Sequence, residues 1–419
     1  MLGKKISMRL GPILRLALRC ASAGALLAVA TTASAATLDD VKDRGKLVCG
    51  VNEGLLGFAM RDGSSWVGFD ADFCRAVAAA IFGDAEKVEF VPLSVADRFK
   101  ALQDGRIDVL SRNTTWTMER EAGLNLTFVG VTYYDGQGFM LARSANILSA
   151  LELDGTKVCV QSGTTTQANL ADYFAVNNIT YTEVVTASSA ESLAQYRAGA
   201  CNVVTSDMSQ LYAGRVALPD AAEHVILAEA ISKEPLGPVV RQDDPHWAMI
   251  AKWVYFALLD AEELGVTRYN IDEALQSKKP DVRRLVGLDG GFGEQLGLKN
   301  EWAVSILEAV GNYGEIYDRN LGSGSPLGIP PRHEPALEPR RDPVRTAYAV
   351  IDRPSRVSSA GQSVEIAPLR HDVMGGERGC IISGSVILLE KSNVARMMDA
   401  ALTAVVTTRM CNFIGAGKR

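Results

Sequence analysis

One segment of the sequence, residues 111–120, concentrates side chains that bind anions. It reads SRNTTWTMER and follows an apolar run that predicts a strand. If a helix begins near Thr117, its free backbone N–H groups and its dipole favour a bound anion. Arg120 can then hold a carboxylate through two parallel hydrogen bonds. The alternative is an ordinary surface arginine on a solvated helix, and the local pattern is compatible with both.

Two later loops offer complementary chemistry. Residues 162–166 join a predicted strand to a helix start and supply further N–H donors, unless they form only a capped turn. Asp207 follows a predicted strand over 202–205 and is either a helix N-cap or an anion that receives an ammonium group. Burying a charge is costly unless it is paired and hydrogen-bonded. An anion site facing a carboxylate across a cleft would therefore suit a zwitterion.

Motifs of covalent, phosphate or metal chemistry are missing. There is no GxSxG elbow and no P-loop, and Gly290-Gly291-Phe292-Gly293 lacks the third glycine of a dinucleotide-binding turn. The four histidines are scattered and show no HExxH or zinc-type spacing. No nucleophile–base pair accompanies the cleft loops. We therefore expect no enzyme, no metal and no cofactor.

The elements that position these loops alternate between strands and helices. In the first half, Asp70 is a plausible N-cap and Gly83 ends the helix that follows. Strands are predicted at 46–51, 88–91 and 107–110, with a helix over 95–103 capped by Ser94. The second half repeats the order, with strands at 157–161, 181–185 and 202–205 and helices at 167–176 and 189–197. This alternation predicts two lobes with parallel sheets, whose ligand lies beyond the carboxyl ends of the strands.

The N-terminal residues 1–36 predict a signal peptide. They carry five basic and no acidic residues, an apolar run over 21–33, and the small-residue pattern Ala33-Ser34-Ala35. The run is shorter than the roughly 20 residues that span a bilayer, although a membrane anchor or a buried helix is the alternative. The mature chain is expected to begin near Ala36 and to work in the periplasm.

Charge separates the rest of the chain into two zones. Residues 37–330 hold 25 basic and 40 acidic residues, whereas residues 331–419 hold 13 basic and 9 acidic residues. The net charge of −6 provides no basic surface for nucleic acid. A proline- and arginine-rich run from Pro330 to Pro343 opens the second zone, which predicts a linker followed by a segment of different origin.

Several motifs in the body resemble one family. They are Gly68-Phe69-Asp70, Gly105-Arg106-Ile107-Asp108, Thr117-Met118-Glu119-Arg120, Gln161-Ser162-Gly163-Thr164-Thr165 and Lys233-Glu234-Pro235-Leu236-Gly237. Together they resemble the periplasmic solute-binding proteins of polar and general amino-acid ABC transporters, from about residue 38 to 330. The sequences of residues 72–77 and 111–117 are similar to those of the general L-amino-acid branch.

The resemblance implies a role for each site residue. Arg120 would clamp the ligand α-carboxylate, with the backbones of Thr115 and Thr165 donating to the same group. Asp207 would take the α-amino group. Asn113 would line the pocket.

Two positions depart from the family or stay open. Arg112 stands where relatives for basic amino acids carry a small residue, and it either reaches the ligand side chain or points to solvent. Leu55 occupies the place of a common aromatic that covers the ligand, for which Phe58 or Trp116 could compensate.

The resemblance also implies fold and function. It predicts a two-lobed α/β periplasmic-binding-protein fold of type II, each lobe a mainly parallel sheet flanked by helices. The first lobe would span 37–140 and 232–330, and the second 141–231, with crossings near residues 139–143 and 231–237. The implied function is a monomeric, non-enzymatic receptor that hands L-amino acids to an ABC permease. A dehydratase-like enzyme and a sensor partner are the alternatives.

Two features remain open from the sequence. Residues 331–419 have no family likeness, and we interpret them as a frameshift-derived or disordered tail. Cys49 with Cys74, and Cys159 with Cys201, each fall within one predicted lobe. Either pair could form a disulfide in an oxidising periplasm, or all four could be buried free thiols.

Overall fold

A computed structural model describes residues 37–330 of the chain. The predicted signal peptide, 1–36, and the predicted tail, 331–419, lie outside the described residues. Within 37–330, no helix combines the length and the apolar character that a membrane span requires.

The described chain alternates strands and helices as the sequence predicts. Its strands are β1 Leu47–Asn52, β2 Met60–Asp62, β3 Ser65–Val67, β4 Val88–Leu93, β5 Val109–Leu110, β6 Leu126–Phe128, β7 Tyr133–Asp135, β8 Gln137–Ala142, β9 Thr156–Gln161, β10 Tyr181–Thr186, β11 Val203–Asp207, β12 His224–Ile226, β13 Glu234–Leu236 and β14 Val239–Arg241. Its α-helices are α1 Thr37–Arg44, α2 Phe69–Phe82, α3 Arg98–Gln103, α4 Thr165–Val176, α5 Ser189–Arg197, α6 Met208–Val216, α7 Pro245–Leu264, α8 Ile271–Leu275, α9 Pro280–Leu285, α10 Phe292–Gln295, α11 Trp302–Val310 and α12 Tyr313–Asn320. A π-helical turn, Glu119–Gly123, and three short 3₁₀ turns complete the regular structure of this part of the chain.

Two five-stranded sheets share one strand order. The first sheet runs β4-β1-β5-β14-β6 and the second runs β10-β9-β11-β8-β12. In each sheet, three neighbouring strands are parallel, and the middle one, β1 or β9, comes before the other two in the chain. The next strand in the sheet, β14 or β8, is antiparallel to its neighbour. The parallel trios arise because each connection between them passes through a helix. The predicted two-lobed α/β fold is confirmed.

A short antiparallel ribbon marks the passage between lobes. Strand β7 pairs with β13, with Tyr133 opposite Leu236 and Asp135 opposite Glu234. The first crossing, expected near residues 139–143, is wrong, because β8 occupies that stretch and lies buried in the second sheet. The chain instead leaves the first lobe at Gly136, between β7 and β8. The lobe boundary expected between residues 140 and 141 therefore falls inside β8.

The two lobes differ in the size of their cores. Helices α2, α7 and α11 pack into the first lobe, where Trp247 is fully buried and its Nε1 donates to the Asp108 carbonyl at 2.9 Å. The second lobe packs around a smaller set that includes Phe139 and Phe174. Buried apolar area drives folding, so the first lobe has the larger share of hydrophobic stabilisation.

Two predicted helix starts are displaced. Helix α2 is capped at Gly68, not at Asp70, which lies buried inside the first turn. Its other end matches the expectation, since Gly83 adopts the left-handed conformation that ends helices. Helix α3 begins only at Arg98, because Ser94 accepts from the backbone N–H of Asp97 in the preceding turn.

Both cysteine pairs are disulfides in the structure. Cys49 of β1 joins Cys74 of α2, and Cys159 of β9 joins Cys201 just before β11. Each bond lies within one lobe and ties a central strand to a neighbouring element. The structure therefore excludes the alternative of four buried free thiols.

Candidate ligand-binding cleft

A cavity of about 290 Å³ lies between the two lobes. Three loops from each lobe line it, those that follow β1, β4 and β5 and those that follow β9, β10 and β11. These are the carboxyl ends of the parallel strands, where α/β folds bind ligands. All of the residues predicted from the sequence line this one cavity: Arg112, Asn113, Thr115, Arg120, Thr165 and Asp207.

Arg120 is a cleft residue and not a surface arginine. It lies in the π-helical turn after β5 and is only 9% exposed. Its Nη1 donates to the Thr115 carbonyl at 2.8 Å, and its guanidinium carbon lies 5.5 Å from the Phe99 ring centroid. Burial lowers the pKa of Arg120, and the carboxylates of Glu234 and Asp207 partly offset that effect. The guanidinium is thus held in place with donors left for an anion.

Thr115 and Thr165 meet from opposite lobes. Their Oγ1 atoms are 3.4 Å apart, and the Thr165 hydroxyl donates to Oε2 of Glu234 at 3.0 Å. Thr165 is the first residue of α4, so its backbone N–H has no intrahelical acceptor. The preceding Thr164 caps the helix by accepting from the backbone N–H of Gln167 at 3.3 Å. The helix N-terminus at Thr165 therefore lines the same cavity as Arg120, and helix N-termini favour anions.

Asp207 ends β11 immediately before α6, and its carboxylate does not serve as a cap. Its side chain makes no capping hydrogen bond, and Asp135 instead accepts from the backbone N–H of Ser209 at 3.3 Å. Asp207 is 7% exposed, and burial raises its pKa well above that of an ordinary carboxyl group. The neighbouring Asp135 and Glu234 raise it further, while arginines oppose the shift. A cation beside Asp207 would relieve this repulsion.

The buried carboxylate of Asp70 holds the loop that carries Asn113. The sequence predicted Asp70 to be a helix N-cap. Asp70 accepts from the Asn113 backbone N–H at 2.8 Å and from the Ser111 hydroxyl at 3.0 Å. Asn113 has φ 36°, a left-handed conformation that asparagine tolerates, and its Oδ1 accepts from Nδ2 of Asn52 at 3.0 Å. Burial raises the pKa of Asp70 to about 6. Asp70 is thus a positioning residue for the site.

Arg112 does not point to solvent. It is 4% exposed, and its Nε donates to the Leu93 carbonyl at 2.8 Å. Burial lowers its pKa to about 10, and the carboxylates of Glu53 and Asp70 partly offset that effect. Of the two alternatives from the sequence, the structure therefore excludes the exposed one.

Neither of the two aromatic residues that could have covered the ligand, Phe58 and Trp116, lies in the cavity wall. Phe58 packs edge-to-face on Phe69 and Tyr133 inside the first lobe. Trp116 stacks on Phe128 at 5.2 Å, and its Nε1 donates to Glu121 at 2.7 Å. Neither lines the cavity.

Arg98 is a cavity residue that the sequence did not single out. It begins α3, lines the same cavity and is 4% exposed. In the sequence it lay inside a predicted amphipathic helix, where an arginine is normally solvated. The signal that could have found it is its place at the helix start that follows β4, since ligands bind at such strand ends. The loop after β10, with Ser188 and Ser189, was missed in the same way.

No group of histidine, cysteine or acidic side chains within residues 37–330 is arranged to hold a metal ion. The charged groups that line the cavity are three arginines and two acids. Such walls recognise ions through hydrogen bonds and charge.

Comparison with known proteins identifies the family and agrees with the fold. The chain belongs to the bacterial extracellular solute-binding proteins, family 3, whose model matches residues 47–323. It is 54% identical over 316 residues to the General L-amino acid-binding periplasmic protein of Rhizobium johnstonii, covering 74% of this chain and 93% of that one. It is 52% identical to the Glutamate/glutamine/aspartate/asparagine-binding protein of Rhodobacter capsulatus, covering 72% and 90%.

A solved structure extends the comparison to three dimensions. It is an ABC transporter periplasmic binding protein from Brucella ovis with glutathione bound. The sequences are 53% identical and the TM-score is 0.69, with 70% of this chain and 94% of that chain covered.

Proposed function

We propose that this protein is a periplasmic receptor that binds L-amino acids and delivers them to an ABC transporter permease. One observation carries the proposal: Arg120 and Asp207 come from opposite lobes and line the same cavity. A buried guanidinium suits an α-carboxylate, and a buried carboxylate with a raised pKa suits an α-ammonium group. Both poles of a zwitterion would then be paired, which offsets their desolvation.

The names of the relatives support the ligand class. Two proteins more than 50% identical to this chain are named for binding amino acids in the periplasm or for binding glutamate, glutamine, aspartate and asparagine. We propose the same class for this chain. Delivery would follow from closure of the lobes about the β7–β13 ribbon, because a permease can distinguish a closed from an open receptor.

We infer further that the ligand leaves unchanged and that the receptor acts as a monomer. Residues 1–36 would be removed on export to the periplasm, and residues 331–419 would not belong to the receptor body. We also propose that the second lobe ends at residue 231 and that the first lobe, which resumes at residue 232, ends at residue 330. The intact mass of the secreted chain tests both ends, since an ordered species that lacks the first 36 residues and retains the last 89 would refute the proposal for the tail.

A ligand panel tests the central proposal. The secreted chain is titrated with the common L-amino acids while its melting temperature is followed. A ligand at about 1,000 times its dissociation constant should add about 4 kcal/mol to the free energy of unfolding. If no amino acid raises the melting temperature, the proposal is wrong. Mass spectrometry of the ligand after long incubation separates a receptor from an enzyme.

A second candidate ligand class is a short peptide such as glutathione. A neighbouring cavity of about 250 Å³ shares Gln161, Ser189 and Ser206 with the first and adds apolar walls from Leu55 and Met140. A ligand longer than one amino acid could occupy both cavities, and a relative in the solved structures carries glutathione. Reduced glutathione in the same titration panel decides whether this class binds.

A further inference from the structure

Strand β13, which lies in the KEPLG motif, makes main-chain contacts along both of its edges. Strand β7 pairs with one edge. Along the other edge, the backbone N–H of Trp116 donates to the Pro235 carbonyl at 2.7 Å, and that of Gly237 donates to the Thr114 carbonyl at 3.0 Å. The β7–β13 ribbon is thus joined by its main chain to the loop that leads to Arg120.

The side chain of Glu234, in the same strand, reaches the second lobe. It is 2% exposed, and its carboxylate accepts three hydrogen bonds from side chains. Oε2 accepts from the Thr165 hydroxyl at 3.0 Å, and Oε1 accepts from Nδ2 of Asn169 at 2.8 Å and from the hydroxyl of Ser232. Thr165 and Asn169 belong to the first two turns of α4. A buried carboxylate therefore fastens the start of a second-lobe helix to the ribbon.

The ribbon consequently holds both sides of the site that we assign to the ligand carboxylate. On one side, the Thr115 carbonyl accepts from Nη1 of Arg120 at 2.8 Å. On the other, Thr165 begins α4, and its Oγ1 lies 3.4 Å from that of Thr115. Burial lowers the pKa of Arg120, and the charge of Glu234 is the largest of the effects that oppose it. Glu234 thus acts on both sides of the site, although it does not line the cavity itself.

We propose that Glu234 is a positioning residue of the amino-acid site, which holds the N-terminus of α4 beside Arg120 so that the two can bind one carboxylate together. The proposal rests on the proposed function, since it concerns the carboxylate end of the same ligand. Glu234 acts through α4 and makes no contact with the ligand. Donors that are already held in place cost less to order when the ligand binds.

The test measures the binding of L-alanine and L-glutamine to the full secreted chain. Isothermal titration gives the affinity, and stopped-flow tryptophan fluorescence gives the two rate constants. The variants are Glu234→Ala, Glu234→Gln, Asn169→Ala and the double variant Glu234→Ala/Asn169→Ala. Glu183→Ala is the matched control, because Glu183 also accepts from an amide of α4, Nε2 of Gln167 at 2.9 Å, but is exposed and lies outside the cavity wall.

The expected losses share one kinetic signature. Glu234→Ala should weaken both ligands about tenfold, mainly through faster dissociation, because Arg120 still captures the carboxylate. Glu234→Gln should regain most of this affinity, since an amide of the same shape keeps an acceptor and can donate to the Thr165 hydroxyl. Asn169→Ala should lose about threefold, and the double variant should bind like Glu234→Ala, because both changes break the same contact. Glu183→Ala should match the wild type.

Two results would overturn the proposal. A glutamate with a merely structural role would lower the melting temperature and leave the dissociation rate of the folded Glu234→Ala within about twofold of the wild type. Losses that multiply in the double variant would show that Glu234 and Asn169 act independently. If Glu234→Ala does not fold, a normal dissociation rate in Asn169→Ala overturns the proposal instead.

Failure of this inference is distinguishable from failure of the proposed function. A wild type that binds L-alanine or L-glutamine while the Glu234 and Asn169 variants bind equally well keeps the proposed function and removes the positioning role. A wild type that binds neither ligand nor any other amino acid of the panel removes both.

Discussion

The two lobes share one strand order and differ in what their strand ends present to the cleft. The loops of the first lobe carry three buried arginines, at positions 98, 112 and 120, and one exposed acid, Glu53. The corresponding loops of the second lobe carry threonines, serines and a single acid, Asp207. The same topology thus supports a cationic wall on one side and a wall of small donors with one anion on the other.

The difference indicates a division of labour. In the first lobe, long side chains are fixed within the lobe, as Arg120 is by the Thr115 carbonyl and Arg112 by the Leu93 carbonyl. This lobe also has the larger hydrophobic core. In the second lobe, short side chains such as Thr165 line the cleft and meet the first lobe there, as the contact between Thr165 and Thr115 shows. We infer that a ligand docks first on the pre-organised first lobe and that the second lobe then closes over it.

Removing the central charge of the cationic wall should have the largest effect. Arg120→Ala is expected to weaken amino-acid binding about 1,000-fold, because the α-carboxylate would be buried without its charged partner. Isothermal titration with alanine measures the loss. Arg106→Ala, an exposed arginine of the same lobe, is the control and should bind normally. Near-normal affinity in Arg120→Ala would refute the clamp.

Neutralising the single acid of the second lobe should have the next largest effect. Asp207→Asn keeps a hydrogen-bond acceptor but removes the charge that faces the ligand ammonium group, so affinity should fall about 30-fold. Surface plasmon resonance should show the loss mainly as faster dissociation, because buried charge pairs act on that rate. An unchanged affinity would show that the ammonium group lies elsewhere.

The pH dependence of binding should reveal the same acid. Burial, Asp135 and Glu234 raise the pKa of Asp207, whereas the ligand ammonium group favours its charged form. Below that raised pKa, binding must release the proton, so affinity should fall with decreasing pH, by at most about tenfold per unit. Calorimetry in two buffers of different ionisation enthalpy measures the released proton, and Asp207→Asn should abolish it. Affinity that rises as the pH falls would contradict the assignment.

A short donor of the second lobe should contribute least. Thr165→Val keeps the shape of the side chain but loses the hydroxyl that contacts Thr115 and donates to Glu234. Affinity should fall by about fivefold, near 1 kcal/mol for one hydrogen bond. Thr180→Val is the control, since Thr180 bonds Asp154 at the exposed surface of the same lobe. A loss of affinity as large as that for Arg120→Ala would contradict the inference that the short donors of the second lobe contribute less than the arginines of the first.

Sequence reasoning located the cleft well because its main residues lie in local patterns. Arg120 and Thr165 stand at strand-to-helix turns, and such turns bind anions wherever they occur. Asp70 was assigned to a helix cap because capping is a local property. Its actual partners, Ser111 and the backbone of Asn113, lie more than 40 residues away in the chain. The first crossing was misplaced for a similar reason, since β8 is recognisable only through its pairing with β11 and β12.

The order of strands and helices, the family motifs and the residues at strand ends follow from the sequence alone, because periodicity and turn chemistry act over a few neighbouring residues. Burial is decided by the packed fold. Whether Arg98 is a solvated helix residue or a buried cation in the cavity wall depends on which elements surround it, because the charges of Arg120 and Asp207 act on it from two other loops. The cost of a buried charge arises only once water has been excluded, so only the tertiary structure decides that Arg98 lines the cavity.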